Sequence, residues 1–222
     1  MEQYKEQLQA ATFIYQSAWF LCAPHGPACI EAMAHHCTQH KLEFGFNLSA
    51  PMVIESKLDQ MMKILPHTTF VFGNNTEACK FAEMMNWNEV EDIATIAQQI
   101  AKLPVCHSRA RIVIITQGPA KTIIVSRDGL VTTFQPLLIR QNLVIDTTGA
   151  GDAFCGGFIS HLLEHPRKHN EFENDVLFDA IEKGHWAARE IIQRDGCSFP
   201  TRCQFDSWKK GIAESEYPRA NA

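Results

Sequence analysis

The 222-residue sequence has no apolar run approaching the ~20 residues that a membrane-crossing helix needs. Its eight cysteines (Cys22, Cys29, Cys37, Cys79, Cys106, Cys155, Cys197 and Cys203) include no C-x-x-C pair, so a thioredoxin-like redox motif and the usual zinc-finger spacing are both excluded. Scattered through apolar segments, these thiols suit a reduced, partly buried state, in the cytoplasm or equally in the nucleus. Cys29 and the run His35-His36-Cys37 lack a second ligand pair at finger spacing, so one amphipathic helix accounts for them better than a metal does. Excess positive charge is missing too. A formal charge of −5 and a pI near 6.0 give no electrostatic reason to expect nucleic acid or an anionic membrane as partner. Met1 to Glu6 is polar and lacks the apolar core of a secretory signal. Internal repeats and low-complexity tracts are absent.

What is present is the composition of an ordinary globular protein, 45% hydrophobic and 20% charged, long enough for one substantial domain. Met1 to Ala10 reads as an amphipathic helix. Thr12 to Tyr15, with Trp19-Phe20-Leu21, reads as a buried strand and its exit. Helices are expected over Pro27–His40, Val53–Leu65, Asn74–Met85, Asp92–Leu103 and Val176–Gln193. Strands are expected over Leu42–Asn47, Thr69–Phe72 and Arg111–Thr116. Thr122–Ser126 and Leu130–Phe134 flank Arg127-Asp128-Gly129 as a hairpin. This alternation predicts an α/β fold, a mostly parallel sheet with helices on both faces, whose ligands bind at the carboxyl ends of the strands. Glu164 to Asp175 reads as a surface loop. Residues 1–206 form the folded portion, and Ser207 to Ala222 a loosely held tail.

The most informative stretch is Asp146-Thr147-Thr148-Gly149-Ala150-Gly151-Asp152-Ala153-Phe154-Cys155-Gly156-Gly157-Phe158. It is expected to leave an apolar strand, Leu143-Val144-Ile145, turn on glycine and enter a helix. Backbone N–H groups gathered at a helix N-terminus favour an anion. Asp152, in the first turn, would stand within reach of what that anion reacts with. Taken alone, Gly149 and Gly151 fit a tight turn equally well, with Asp152 placed by the helix dipole. The small residues that continue into the helix would let it pack closely on something flat, a sheet. The stretch fits neither G-x-G-x-x-G nor the Walker pattern.

Three further segments end strands. Gly73-Asn74-Asn75-Thr76-Glu77 is on its face a capping box, with Asn74 capping and Glu77 reaching back. Thr116-Gln117-Gly118 offers a hydroxyl and a glycine N–H to phosphate oxygens, and is equally a plain turn. Phe46-Asn47-Leu48-Ser49-Ala50-Pro51 leads from a strand into a helix.

The glycine-turn stretch resembles the signature of the ribokinase-like (PfkB) family of sugar and nucleoside kinases. With the three strand-end segments and Gly196-Cys197-Ser198-Phe199-Pro200, the chain resembles the adenosine kinases within that family, in order from about Phe13 to Phe205. The resemblance implies a ribokinase-like three-layer α/β/α fold with ATP and adenosine as substrates and AMP, a purine-salvage product, as outcome. It implies Asp152 as general base toward the 5′-hydroxyl, with Gly149, Ala150 and Gly151 forming the anion hole for the transferring phosphoryl group. Asn74 and Glu77 would organise Mg²⁺ through water, and Thr116 and Gly118 would contact the triphosphate. A segment at His185 resembles the pocket for the ATP adenine, a helix-surface histidine being the alternative. Phe20, in the Trp19-Phe20 corner, and Asn47 would lie beside the nucleoside, a plain core aromatic being the alternative for the corner. Asp146 would lie near a monovalent cation.

The sequence departs from that pattern in three places. Thr148 stands where adenosine kinases commonly have asparagine, and Met52 where they have phenylalanine. The segment with which adenosine kinases begin is not found: the first strands, the lid and the ribose-binding Asp and Gly-Gly residues. Without them water is not excluded from the phosphoryl site, and a sheet edge is left through which copies of the chain could self-associate. The alternatives to a working kinase are therefore a catalytically inactive ATP-binding or interaction product and a fragment without a stable fold of its own.

Overall fold

In the computed structural model, residues 5–87, 92–126, 128–165, 172–199, 204–206 and 209 are described. Of the expected tail only Lys209 is among them, and it pairs with Asp179 and Glu182 at 2.6 and 2.9 Å. Arg127, Pro200 and Cys203, and the middle of the expected 164–175 loop, lie outside the described residues.

In chain order the elements are α1 (Lys5–Ala10), β1 (Phe13–Ser17), α2 (Gly26–His40), β2 (Glu43–Asn47), α3 (Pro51–Ile64), β3 (Phe70–Asn74), α4 (Asn75–Met84), α5 (Ile93–Lys102), β4 (Ile112–Gln117), β5 (Ala120–Ser126), β6 (Val131–Phe134), α6 (Ala150–Glu164) and α7 (Asn174–Ile192). Two compact units result. One comprises Met1–Leu137 with Leu163–Asn174, the other Leu138–Leu162 with Asp175–Ala222.

The first unit is a six-stranded sheet in the order β1-β2-β3-β4-β5-β6. The first three pairings are parallel and the last two antiparallel. Parallel neighbours in sequential order need crossovers of one hand, which places α2 to α5 on a single face. Alternate strand residues meet them there: Ile14, Phe44, Phe46, Val71, Val113, Ile115, Ile123 and Val125 share one buried core with Ile30, Ile54, Phe81 and Ile100. On the opposite face the rings of Phe13 and Phe70 stack at 5.6 Å across the intervening strand β2. That approach needs Gly45, because a Cβ there would meet the Phe13 ring at 2.9 Å.

Arg111, just before β4, is fully buried. Its guanidinium donates to the carbonyls of Ile100, Leu103 and Pro104 at 2.9–3.0 Å and to that of Leu65, tying down the C-terminal ends of α5 and of the helical segment before β3. These are carbonyls that helices leave without internal partners.

The second unit is built on α6 and α7. Gly157 has no room for a side chain, since a Cβ would stand 2.6 Å from the Lys183 carbonyl; at Gly184 one would stand 2.8 Å from that of Phe154. The small residues of the glycine-turn helix therefore accommodate another helix, α7, where the sequence suggested a sheet. Ala153, Trp186, Ala187, Ile191 and Phe205 form this unit's core.

Two expected elements differ. Leu143-Val144-Ile145 is no strand: Gln141–Leu143 is a 3-10 turn, and the amides of Ile145 and Asp146 both donate to the Ile192 carbonyl at 2.8 and 3.3 Å. Three apolar residues are too few to compete for a place in the sheet when a helix end offers a free acceptor. Ala18–Cys22 is likewise a 3-10 helix rather than a strand exit, with Leu21 buried and Trp19 and Phe20 exposed.

Candidate functional site

The parallel strands of the first unit bring several expected residues to one end of the sheet. Register pairs Ser17 with Asn47 and Asn74 with Thr116, so the corner after β1 and the ends of β2, β3 and β4 lie side by side. This is the carboxyl end, where α/β sheets bind ligands.

The corner is apolar yet open to solvent: Trp19 is 50% exposed, Phe20 40%, and Met52 in the first turn of α3 65%. The 3-10 helix of Trp19 and Phe20 packs against α3. Asn47 is buried at the floor of the site, its Nδ2 donating to Tyr15 Oη at 3.0 Å and its Oδ1 accepting from the Ser49 amide at 2.9 Å. Ser49 takes the left-handed conformation, φ 70°. Its hydroxyl bonds Ser17 Oγ at 2.8 Å and accepts from the Ala18 amide at 2.9 Å. Ser49 thus clamps the ends of β1 and β2 together, a role that sequence reasoning missed. The only signal was a serine between an asparagine-ended strand and a proline-led helix.

At the end of β3 the capping box forms in full. The Asn74 amide donates to Glu77 Oε2 at 3.0 Å, Asn74 Nδ2 to Oε1 at 2.7 Å, and the Glu77 amide to Asn74 Oδ1 at 2.9 Å. Glu77 is buried. Each carboxylate oxygen receives one bond from Asn74, and carboxylate oxygens are the hard ligands that suit Mg²⁺, which commonly keeps its waters. One strand over, Thr116 Oγ1 leans on the Gly73 carbonyl at 3.4 Å. Gly118 has φ 57° and open space where a side chain would stand, so its turn would admit a ligand close to the backbone.

In the second unit the glycine turn forms around Asp146. Its Oδ1 accepts from the Thr148 amide at 2.8 Å. Bonds from the Thr148 amide and hydroxyl, and from the Gly196 amide, hold its carboxyl below the ordinary aspartate range. Asp146 therefore ties two loops together, and a monovalent cation there would compete with those donors. Gly149 has φ 78°, which disfavours any side chain, and a Cβ would lie 2.6 Å from Cys197 Sγ. Cys197 also points its thiol at the Thr148 carbonyl, 3.7 Å away. The segment Gly196 to Pro200 was noted for its resemblance, but not the packing of Cys197 against the glycine turn.

The Ala150 amide donates to the Thr147 carbonyl at 3.2 Å and is committed to the turn. The Gly151 and Asp152 amides belong to the first helical turn, ahead of the first i→i−4 bond, Ala153 N–H to the Gly149 carbonyl at 2.8 Å. Space beside Gly151 is open, and Asp152 is exposed. Of the expected Gly149-Ala150-Gly151 set, the Ala150 amide is thus engaged within the turn, whereas the Gly151 amide stands in the first turn of the helix. His185 is half-buried: its ring lies edge-on to Phe154 at 5.0 Å, and burial pushes its imidazole down to about 4.

Among known proteins, the profile of the pfkB family carbohydrate kinases matches residues 1–202. Adenosine kinase 2 of Arabidopsis thaliana is 36% identical over 200 residues, 90% of this chain and 54% of that protein. Adenosine kinase of Dictyostelium discoideum is 30% identical over 201 residues, 90% of this chain and 55% of that one. The crystal structure of Anopheles gambiae adenosine kinase in complex with P1,P4-di(adenosine-5) tetraphosphate is similar with a TM-score of 0.80 at 34% identity, covering 91% of this chain and 57% of that chain. Adenosine kinase from Schistosoma mansoni in complex with 2-fluoroadenosine gives 0.78 at 26% identity, covering 91% and 55%. The chain spans about half the length of the curated relatives it matches.

Proposed function

Because the chain belongs to the pfkB family of carbohydrate kinases and has its ribokinase-like α/β fold, we propose that it carries the phosphoryl-transfer half of an adenosine kinase. The reaction moves the γ-phosphoryl group of ATP to the 5′-hydroxyl of adenosine. Asp152 takes the hydroxyl proton, the 5′-oxygen bonds to the γ-phosphorus, and the bond to the bridging oxygen breaks to release ADP and AMP. The amides of Gly151 and Asp152, with Gly149 fixing the turn, stabilise the charge that spreads over the transferring oxygens. Asn74 and Glu77 would hold Mg²⁺ through water, and the ion when bound would neutralise phosphate charge. Thr116 and Gly118 contact the triphosphate, and His185, neutral at physiological pH, lies beside the ATP adenine. The open rings of Trp19 and Phe20 give a purine a face to stack on, while Asn47 supports that corner from beneath.

The observation that carries this reading is the glycine turn: a positive φ at Gly149, first-turn amides beside open space, and an exposed carboxylate at Asp152. It is supported by likeness to relatives named for adenosine and solved with adenosine compounds. The test is AMP formation from adenosine and Mg-ATP by the chain, with Asp152→Asn as control. Loss of the general base should lower the rate about 10²–10⁴-fold; equal rates would refute the assignment. The exposed rings and the edge strand β1 favour a second reading, a product that binds ATP and self-associates through that edge. ATP-dependent thermal stabilisation without turnover would support it.

A further inference from the structure

The aromatic corner after β1 is held by a chain of hydrogen bonds that no catalytic step uses. The Trp19 amide donates to Ser17 Oγ at 3.3 Å and the Ala18 amide to Ser49 Oγ at 2.9 Å, and the two hydroxyls lie 2.8 Å apart. Ser49 Oγ also donates to the Asn47 carbonyl at 3.0 Å. Each hydroxyl has one proton and two lone pairs, and one assignment satisfies every contact. Ser49 gives its proton to the Asn47 carbonyl, which can only accept, so Ser17 is the donor in the bond between the two serines. The relay therefore runs in one direction, from the Trp19 amide through Ser17 and Ser49 to the end of β2. Ser49 Oγ has no capacity left over, which fixes its rotamer.

The same 3-10 helix is pinned from its other end. The Phe20 carbonyl accepts from the Ala23 amide at 3.1 Å, and a Cβ on Gly26 would stand 1.7 Å from its oxygen, so the first turn of α2 closes directly over it. Ala18 and Leu21 are buried, while the two rings between them stay exposed. A five-residue 3-10 helix has poor internal hydrogen-bond geometry, so these outside ties decide where its rings point. We propose that Ser17 and Ser49 are positioning residues for the nucleoside: they set the orientation in which Trp19 and Phe20 meet a purine. They act through the backbone of Ala18 and Trp19, not by contact with substrate. The left-handed φ of Ser49, uncommon for a serine, is the conformation that brings its hydroxyl onto the β1 corner. This inference rests on the adenosine reading given above and assigns that reading's purine corner its supports.

The test compares Ser17→Ala and Ser49→Gly with the unaltered chain. Glycine adopts positive φ freely, so Ser49→Gly removes the hydroxyl without adding backbone strain, and circular dichroism checks that each variant is folded. Amide exchange followed by NMR should speed up about 3–10-fold at Trp19 in Ser17→Ala and at Ala18 in Ser49→Gly, the worth of one hydrogen bond. In the assay of AMP formation the KM for adenosine should rise about 3–10-fold, with kcat and the KM for ATP unchanged. Equilibrium dialysis with labelled adenosine should show the same shift in Kd, whether or not the chain turns over. Ser17→Thr keeps the hydroxyl and should restore both readouts. Unchanged exchange, an unchanged adenosine constant, an equal rise in the KM for ATP, or a threonine variant no better than alanine would overturn the proposal. An unaltered chain that binds no adenosine would overturn the functional reading and this proposal with it; variants that match an adenosine-binding parent overturn this proposal alone.

Discussion

Gly149→Ala tests how the glycine turn is held. At φ 78° the alanine would occupy the left-handed region, at a cost of about 1–2 kcal/mol. Its Cβ would also sit 2.6 Å from Cys197 Sγ, an overlap that overpacking precedent puts at about 1–3 kcal/mol. The stiffer unfolded chain returns about 0.4–1 kcal/mol, leaving a net destabilisation of roughly 1–5 kcal/mol. Cys197→Ala separates the two costs. It removes the sulfur but leaves the Cys197 Cβ 3.7 Å from the new methyl, an ordinary contact, and by itself it loses only a thiol–carbonyl contact at 3.7 Å. In the double variant the overlap disappears while the φ cost stays. The two changes should then couple favourably by about 1–3 kcal/mol. Urea unfolding followed by Trp186, which sits in the core of the same unit, measures all four corners of the cycle. Additive effects, or a Gly149→Ala cost below about 0.5 kcal/mol, would refute the steric account.

Arg111→Met should cost at least about 3 kcal/mol, because it leaves several buried carbonyls without a donor; Arg111→Lys should recover part of this, and a loss under about 1 kcal/mol in denaturant unfolding would contradict the role given to the guanidinium. The pH dependence of stability follows from histidines held neutral by the fold. Burial lowers His67, with the His35 and His107 charges adding to it, and burial lowers His107 and takes His185 to about 4. Their unfolded forms bind protons more readily, so stability is complete above the unfolded value of about 6.5 and falls as pH drops toward 4. His185 alone accounts for up to about 3 kcal/mol over that window. Unfolding midpoints at a series of pH values, with His185→Phe flattening the slope, check the sign; stability that rises on acidification would refute it.

How much of this was legible in the sequence depended on how local the causes are. Helix starts were readable because capping is written within four residues: Asp92 accepts from the Thr95 amide at 2.9 Å, and Asn74 and Glu77 close their box. The core strands were readable because apolar residues have nowhere else to go. Leu143-Val144-Ile145 misled because three apolar residues do not say which acceptor their amides will find, and the Ile192 carbonyl lies far along the chain. The β4–β5 pairing is antiparallel, a consequence of the tight turn at Gly118, which the sequence offered equally as a plain turn and as a phosphate contact.

By itself the sequence determined the α/β alternation, the strand-end placement of the motifs and the glycine turn with Asp152, since each depends on neighbours in the chain and on hydrophobic periodicity. Only the tertiary structure decided which polar groups are free to act. Ala150 gives its amide to the turn, Cys197 presses on Gly149, Ser49 bridges two strands, and Arg111 is buried among carbonyls. Those outcomes depend on partners distant in sequence, whose approach is fixed by packing and by the need of every buried polar group for a hydrogen bond.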